Sequence, residues 1–421
     1  MSLHLVVLHH GLWGNPNHMD PIINAIRKHS SSTDVLPGNA INSPKSKEPE
    51  ALSKPSEVAE SDPLKASDLV FLNIDSSVGM YTYDGIDVCG DRGLVSVMAV
   101  LEQHEGRIDR ISFIGYSLGG LINRYMIGKL YSTKIFDKVR PVNFITLATP
   151  HLGTSHPQSS IMGRGFNYFQ QVVLVRVGQQ LSLADKFLNG IPLLLLLSDP
   201  SLCFFKALAL FQKRSVFSNI RNDLTVRYTT AAIASSNPFR RFKPIKVDPK
   251  QYPAIVQPSE TDPPEKETWK WSEIRILSVF VVLSPIIVPI WLIILSISLS
   301  VLSIKARIRK KHFVEDVQWI SSEHDSTQSS EAIELQHACS EADKAQPNSE
   351  LLSTHTAHEL AELSLKKKRE WMVHTLNTLV WEKVNVCIYF NNAHAAIVMR
   401  RGGVHNEHIL IYLAKQVFVT K

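Results

Sequence analysis

Cysteine is scarce in this sequence, and its scarcity argues against two kinds of protein. The chain has 421 residues and 4 cysteines, which lie far apart and form no CxxC pair. A small scaffold held by disulfides needs more cysteines, and a structural zinc site needs cysteines at closer spacing. We therefore expect neither. The four cysteines are Cys89, Cys203, Cys339 and Cys387.

An excess of glycine or proline and a block of one charge are absent as well. The chain has 19 Gly and 22 Pro, which excludes collagen and low-complexity fibres. The formal net charge is +6, but Lys and Arg are spread along the chain, with one dense cluster at 305–311. We interpret that cluster as the flank of a membrane segment, and we expect no nucleic-acid partner.

The first residues lack the features of a secretory signal peptide. Leu3–Leu8 is too short for a hydrophobic region with a cleavage site, and it is typical of a buried β-strand. Because the chain also has few cysteines, we expect it on the reducing, cytosolic side of membranes.

What the sequence does contain is a composition that is 44% hydrophobic, arranged in alternating strand-like and helix-like segments. Short runs rich in Val, Ile, Leu and Phe are typical of strands buried on both faces. Helical stretches between them favour a doubly wound, mostly parallel α/β sheet. The expected strands are Leu3–Leu8, Leu69–Ile74, Ile111–Gly115, Asn143–Ala148, Ser215–Asn219 and Val384–Phe390. The expected helices include Leu94–Glu105, Leu118–Lys129 and about Glu407–Val417.

The chemical signal is the pentapeptide GYSLG at 115–119, between an expected strand and an expected helix. Strand, GxSxG turn and helix together are the context of the nucleophile elbow of α/β hydrolases. Gly115 and Gly119 fit it because larger side chains would collide across the sharp turn. We predict an α/β-hydrolase fold with Ser117 as the nucleophile.

A second glycine-containing loop, HHGLWG at 9–14, directly follows the first strand. Hydrolases place one amide of the oxyanion hole in this loop and the other just after the nucleophile. We assign the N–H groups of Leu12 and Leu118 to that hole. His10 and Gly11 are expected to shape the loop, and His10 is not expected to be the general base.

A serine nucleophile also needs an acid and a histidine base, in the chain order Ser, Asp or Glu, His. Asp223 is the predicted acid, because it follows the expected strand Ser215–Asn219. Asp185 and Asp199 are weaker candidates, since they lie in an apolar region that resembles a cap.

The predicted base is His394, which follows the last expected strand, Val384–Phe390. The sequence has 17 histidines, so residue type alone does not select one. His394 is chosen because of its position after the strand and its order in the chain. His405 and His408, further on, are the fallback candidates.

Several short motifs occur in the same order in one known family. They are HGLWG at 10–14, YDGID at 83–87, GYSLGG at 115–120, TPHLG at 149–153, Asn222-Asp223 and His394. The chain resembles the fungal serine esterases that include lipid-droplet phospholipases and monoacylglycerol lipases. The resemblance extends over about 1–35, 68–235 and 370–420. It implies a triad of Ser117, Asp223 and His394 and an acyl ester of a phospholipid or glyceride as substrate.

Two apolar stretches go beyond what an esterase of soluble substrates needs. Ile191–Phe211 is expected to form part of a cap that lines an acyl channel or touches lipid; a buried core helix is the alternative. Ile276–Ile304 has 29 residues without a charge, which is long enough to enter a membrane.

The second stretch lies between Asp223 and His394, so a single crossing would place acid and base on opposite sides of a membrane. Pro285 and Pro289 would break a helix near its middle, and basic residues flank both ends. We therefore predict a bent hairpin that enters one leaflet, or the monolayer of a lipid droplet, and returns.

The predicted organisation divides the hydrolase core into two parts. The first core part spans 1–235 and contains a flexible insertion at 38–67 and a cap at about 155–212. A linker at 236–273 leads to the membrane-inserting hairpin at 274–304. A disordered linker at 305–369, basic at first and then acidic and Ser-rich, precedes the last core part at 370–421.

The sequence thus predicts a serine hydrolase that cleaves acyl esters of phospholipids or glycerides. We expect it at lipid droplets or the endoplasmic reticulum membrane, with the catalytic domain facing the cytosol. No metal, organic cofactor or obligate protein partner is expected. The alternatives are a thioesterase, deacylase or acyltransferase on the same fold, and an inactive hydrolase that serves as a membrane tether.

Overall fold

A computed structural model describes most of the predicted core. The described residues are 2–29, 33–37, 68–104, 106–154, 161–261, 301, 304, 363–389, 392–400 and 406–420. The predicted insertion at 38–67 lies outside them, as do nearly all of the apolar stretch Ile276–Ile304 and the predicted disordered linker up to residue 362. No helix in the described part of the chain is both long and apolar enough to cross a bilayer.

In the described part of the chain, nine strands form one sheet in the order β2-β3-β1-β4-β5-β6-β9-β8-β7. They are β1 (Leu3–His9), β2 (Thr33–Pro37), β3 (Leu69–Asn73), β4 (Ile108–Tyr116), β5 (Arg140–Leu147), β6 (Lys213–Asn219), β7 (Pro244–Asp248), β8 (Tyr252–Pro258) and β9 (Glu382–Val386). The strands from β2 to β9 in this order pair in parallel, whereas β8 and β7 are antiparallel additions at one edge. The predicted α/β-hydrolase fold with a mostly parallel sheet is confirmed.

Helices cover both faces of this sheet. They are α1 (Asp20–His29), α2 (Ile86–Gln103), α3 (Leu118–Ser132), α4 (Ile161–Val173), α5 (Val175–Leu181), α6 (Leu193–Leu196), α7 (Cys203–Leu210), α8 (Tyr228–Ala231), α9 (Leu365–Leu376), α10 (Ala393–Ala396) and α11 (Glu407–Tyr412). Short 3₁₀ turns include Gly79–Asp84, which precedes α2.

The alternation of side chains along the central strands explains the two layers of helices. On β1, Leu5 and Val7 point into a core shared with α2, α3 and α7. Val6 and Leu8 point the other way, into a second core shared with α1 and α11. A strand buried on both faces is mostly apolar at successive positions, as Leu5–Leu8 is in the sequence.

The linker predicted at 236–273 is wrong over part of its length, because β7 and β8 lie within it and extend the sheet. The β8 side chains of Tyr252, Ile255 and Val256 are buried, whereas β7 is an edge strand with mostly exposed side chains. An edge strand buries too little surface to show an apolar pattern. The linker predicted at 305–369 likewise ends too late, since α9 begins at Leu365.

The second half of the cap predicted at about 155–212 contributes to the main core. Most side chains of the stretch Ile191–Phe211 are buried there, which fits the alternative of a buried core helix. The Phe204 ring lies so close to Gly128 of α3 that a Cβ there would be 2.1 Å from it. Phe211 packs edge-on against Phe113 and Phe144 of the sheet. The hydrophobicity of this stretch predicts that it is buried, but it does not show which part of the protein it packs against.

Candidate active site

Ser117 lies at the sharp turn between β4 and α3. Its backbone has φ 54° and ψ −123°, a strained conformation that a tight turn imposes. The neighbouring glycines allow the strand and helix to approach. A Cβ at Gly115 would lie 2.4 Å from the Gly120 Cα, and one at Gly119 would lie 2.1 Å from the His9 carbonyl oxygen. The turn therefore holds the hydroxyl above the carboxyl edge of the sheet.

The structure brings the three predicted triad residues into direct contact. The Ser117 Oγ lies 2.9 Å from Nε2 of His394, and the Nδ1 of His394 lies 2.9 Å from Oδ2 of Asp223. The Asp223 side chain is buried, and that of His394 is 13% exposed. With Nδ1 protonated, His394 donates to the carboxylate and accepts the serine hydroxyl proton, which is the arrangement of a nucleophile with its base and orienting acid.

The local chain holds the Asp223 carboxylate in its ionised form. Burial by itself raises the pKa of a carboxyl group, but the hydrogen bonds from His394, from the Val226 N–H and from the Asn219 side chain outweigh it and lower the pKa of Asp223. The Oδ1 atom also accepts from the Thr225 N–H at 3.0 Å. The acid is thus fixed in place and charged.

The loops that carry the acid and the base are fastened to one another. Asn222 has φ 59°, a left-handed conformation that asparagine tolerates better than most residues. Its side chain donates to the Ile388 carbonyl at 2.9 Å, and its own carbonyl accepts from the Ala393 N–H at 3.2 Å. The Tyr116 hydroxyl donates to the His394 carbonyl at 2.9 Å.

Three of these supporting side chains were missed by the sequence analysis. They are Asn219, Tyr116 and the side chain of Asn222. Asn219 and Asn222 flank the acid, and a polar residue at the end of a buried strand is a signal that could have drawn attention to Asn219. Tyr116 gave no such signal, because an aromatic residue in an elbow also fits a purely packing role.

The loop after β1 reaches the nucleophile closely. A Cβ at Gly11 would lie 2.6 Å from the Ser117 Cβ, so only glycine lets this backbone pass. Within the described part of the chain, the N–H groups of Leu12 and Leu118 have no hydrogen-bond acceptor. Two unpaired amides beside a nucleophile could receive a developing oxyanion, as predicted for this pair.

His10 is fully buried and supports this loop. Its Nδ1 lies 3.0 Å from the Gly11 carbonyl oxygen, and its ring leaves no room for a side chain at Gly14. Burial lowers the pKa of His10, which keeps its ring neutral. The ring shapes the loop and does not contact the Ser117 hydroxyl.

The alternative acids and bases lie elsewhere. Asp185 accepts from the Leu193 N–H, and Asp199 accepts from Ser201. His408 is half-buried on α11, and His405 lies outside the described residues. None of the three described candidates contacts Ser117 or His394.

Two further motifs of the sequence have packing roles near the site. In YDGID, Asp84 pairs with Arg92 at 2.8 Å, and Asp87 pairs with Arg176 of α5. The second pair fastens α5 to the start of α2.

In TPHLG, the His151 carbonyl accepts from the buried Arg124 at 3.3 Å, and Arg124 also donates to Leu197. Burial lowers the pKa of Arg124 to about 9. Thr149 packs against Gly120, where a Cβ would lie 2.2 Å from its hydroxyl oxygen. No group of His, Cys, Asp and Glu side chains in the described ranges could hold a metal ion.

Comparisons with known proteins identify a family for this chain. The family model described as "Putative serine esterase (DUF676)" matches residues 1–236. A Schizosaccharomyces pombe protein named "Putative lipase C4A8.10" is 37% identical over 136 residues, which is 31% of this chain and 17% of that protein. "Putative lipase ROG1" of Saccharomyces cerevisiae is 36% identical over 156 residues, or 36% of this chain and 22% of that protein. The match thus spans about a fifth of these curated relatives.

Among solved structures, a Listeria innocua protein, the product of gene lin2722, has a TM-score of 0.32 at 12% identity, over 55% of this chain and 77% of that one. A structure titled "putative cell surface hydrolase" from Lactobacillus plantarum has a TM-score of 0.28 at 13% identity, over 55% and 75%. Similarity at this level bears on neither substrate nor mechanism.

Proposed function

The chain belongs to the serine esterase family whose model it matches, and we propose that it is a lipase-like hydrolase of acyl esters in phospholipids or glycerides. One observation carries this proposal above all others. The continuous hydrogen-bonded series from Asp223 through His394 to Ser117, with 2.9 Å at each contact, is the arrangement that activates a serine hydroxyl.

The proposed reaction begins when the Ser117 Oγ attacks the ester carbonyl and its proton passes to Nε2 of His394. Asp223 keeps the ring in the required tautomer and stabilises the imidazolium. The oxygen of the tetrahedral intermediate takes its negative charge between the N–H groups of Leu12 and Leu118, where each such donor lowers the barrier by about 3 kcal/mol.

The intermediate then collapses, the ester C–O bond breaks, and His394 gives its proton to the departing alcohol. Water enters next, loses a proton to His394 and attacks the acyl group on Ser117. Release of the fatty acid returns the proton to the serine oxygen. Every proton in this sequence moves at Nε2, so the chain needs no further acid or base for both halves of the reaction.

Two observations support a lipid as the substrate. The curated relatives are named as lipases, and Ile276–Ile304 is an uncharged stretch long enough to enter a membrane. The enzyme would use it to concentrate at the membrane or the lipid-droplet surface that contains its substrate. We propose the endoplasmic reticulum membrane or the lipid droplet as its location, with the catalytic domain in the cytosol.

The sheet supports a hairpin over a single crossing for this stretch. Strand β8 precedes the stretch and β9 follows it, yet Ile255 of β8 pairs directly with Val386 of β9. Both flanks therefore belong to one sheet, and a single crossing between them would place its two parts on opposite sides of a membrane. Protease sites inserted at 262–273 and at 320–360, outside the strands of the sheet, should be cleaved equally from the cytosolic side. Protection of one region alone would contradict the hairpin.

The rival functions separate by substrate. A panel of emulsified glycerides, phospholipid vesicles, acyl-CoA thioesters and an acceptor alcohol, tested with wild-type and Ser117→Ala protein, distinguishes them. We expect Ser117-dependent release of fatty acid from the glycerides or phospholipids. Preference for thioesters, or transfer to the alcohol, would favour a thioesterase or acyltransferase. No Ser117-dependent turnover of any substrate would favour an inactive membrane tether.

A further inference from the structure

Exposed apolar side chains follow five strands of the parallel sheet, and we call five of them the apolar rim. They are Trp13 after β1, Tyr81 after β3, Tyr168 after β5, Leu224 after β6 and Tyr389 after β9. We infer that the apolar rim docks the active site directly onto a phospholipid surface. This inference rests on the proposed function, and it concerns the catalytic face itself, separately from the stretch Ile276–Ile304.

The sheet topology places the rim on the same side as the nucleophile. The strands before the rim residues are parallel to β4 and lie on both sides of it, so the segments after them meet at one carboxyl edge. Ser117 follows β4 at the centre of that edge. Chain segments that are far apart in sequence therefore present apolar groups around a single point.

Three of the five rim side chains are more exposed than packing requires, whereas Trp13 and Tyr81 are about half exposed. Leu224 is 93% exposed, Tyr168 is 71% exposed and Tyr389 is 66% exposed. Single exposed apolar residues are ordinary on protein surfaces. A set gathered around a catalytic serine is different, because grouped apolar exposure marks an interaction surface.

Local hydrogen bonds hold the rim in position. The N–H groups of Thr225 and Val226, just after Leu224, both donate to the triad carboxylate of Asp223. On the opposite side of the site, the Trp13 indole N–H donates to the Tyr83 hydroxyl at 2.7 Å. The apolar groups are thus carried by the same loops that build the active site, so docking would also align the site with the surface.

Charge on these loops complements a phospholipid surface. Four arginines lie on the same segments: Arg164, Arg221, Arg227 and Arg400. The guanidinium of Arg221 lies over the Tyr389 ring, 5.7 Å from its centroid. The described carboxylates on these segments have partners or are partly buried. Asp84, Asp87 and Asp223 pair with Arg92, Arg176 and His394, Asp20 accepts from the Asn73 side chain, Asp185 and Asp199 accept from the N–H groups of Leu193 and Ser201, and Asp75 is half-buried. Arginine binds lipid phosphates, and Trp and Tyr favour the region of the head groups.

The test uses an environment-sensitive fluorophore on the full-length chain, so that other membrane contacts cannot mimic the result. Bimane is attached at Leu224→Cys, Tyr389→Cys or Val380→Cys in a Ser117→Ala, Cys339→Ser background. The described native cysteines are buried and poorly accessible to the label. Val380 is the matched control, because it is 81% exposed but precedes β9 and lies at the opposite edge.

Vesicles of phosphatidylcholine with phosphatidylserine should shift the emission of bimane at positions 224 and 389 to the blue. The label at position 380 should not shift, and the shift should weaken in phosphatidylcholine alone or in high salt. Thermal unfolding of each labelled protein checks that it is folded. A variant that does not fold is replaced by Tyr168→Cys, for which the same shift is expected.

Two outcomes would overturn the inference. Labels at 224 and 389 that stay unshifted on protein that sediments with vesicles would mean that the rim faces water. A shift that appears without vesicles as protein concentration rises would assign the rim to a second copy of the chain. Because the background is inactive, both results are independent of catalysis, whereas failure of the wild type to hydrolyse any lipid would count against the proposed function alone.

Discussion

Replacing Asp223 by Asn changes one atom and reverses the hydrogen bonding at the acid. In the wild type, Oδ2 accepts from both His394 Nδ1 and Asn219 Nδ2, and Oδ1 accepts two backbone N–H groups. If the amide oxygen keeps the backbone contacts, its NH₂ group faces two donors. His394 must then present an unprotonated Nδ1, which places the proton on Nε2 and prevents that atom from accepting the Ser117 proton.

The expected effect is large and specific. A wrong tautomer of the base lowers kcat by roughly 10⁴-fold in a serine triad, which corresponds to about 5 kcal/mol of barrier. We expect that order of loss in hydrolysis of a short soluble ester, measured by burst and steady-state kinetics. The matched control is Asp199→Asn, since Asp199 contacts only its own turn at Ser201, and its kcat should stay near the wild-type value.

Stability has to be measured alongside the kinetics. The pKa of Asp223 is lower in the folded state than in the unfolded chain, so its charge stabilises the fold above the unfolded pKa. That contribution disappears as pH falls through the folded-state pKa. The Asn variant should therefore unfold more easily at neutral pH yet remain folded during the assay. A folded variant with nearly full kcat, or a greater loss in Asp199→Asn, would refute the assignment of the acid.

Three further changes test the geometry and electrostatics. Gly119→Ala should lower kcat/KM by roughly 10²-fold or more, because its Cβ would lie 2.1 Å from the His9 carbonyl oxygen and displace the elbow. The control Gly165→Ala, whose Cβ would have no neighbour from another element within 4 Å, should leave kcat/KM unchanged. Burial raises the pKa of Asp185 to about 6, so its charge destabilises the fold as pH rises from about 4 to 6. Asp185→Asn should then raise the free energy of unfolding by up to about 3 kcal/mol at pH 7.5, with no difference below pH 4. Burial lowers the pKa of His4 to about 3, so the unfolded chain binds a proton below about pH 6.5 and the folded protein does not. The free energy of unfolding then falls by about 1.4 kcal/mol per pH unit. Denaturant titrations should show that His4→Gln removes this contribution.

The central part of the fold was predictable because its physical signals are strong. Strands β1, β3, β4 and β5 are buried on both faces over most of their length, so each contains a short run of mostly apolar residues in the sequence. Helix α2 is longer than expected and begins at Ile86. Its early turns contain Gly90 and Gly93, which weaken a helix signal but let Tyr125 and Met126 of α3 pack closely.

The rest depends on partners that a single sequence does not reveal. An edge strand such as β7 exposes most side chains, and a stretch such as Ile191–Phe211 signals burial without showing what buries it. The candidate site could be predicted for a different reason. Chain order after successive parallel strands limits the acid and the base to a few loops, so Asp223 and His394 could be selected without any knowledge of distance. The hydrogen bonds by which Asn219 and Tyr116 support the triad could not be predicted, because they depend on distances that the sequence does not show.

Modification by a fluorophosphonate tests most directly whether Ser117 is an activated nucleophile. Full-length wild-type protein is treated with the probe, digested and analysed by mass spectrometry, with Ser117→Ala and His394→Ala treated in parallel. We predict a phosphonylated peptide that contains Ser117 in the wild type, no adduct in Ser117→Ala, and labelling slowed by orders of magnitude in His394→Ala. An adduct on another serine, or no adduct on folded wild-type protein, would contradict the account.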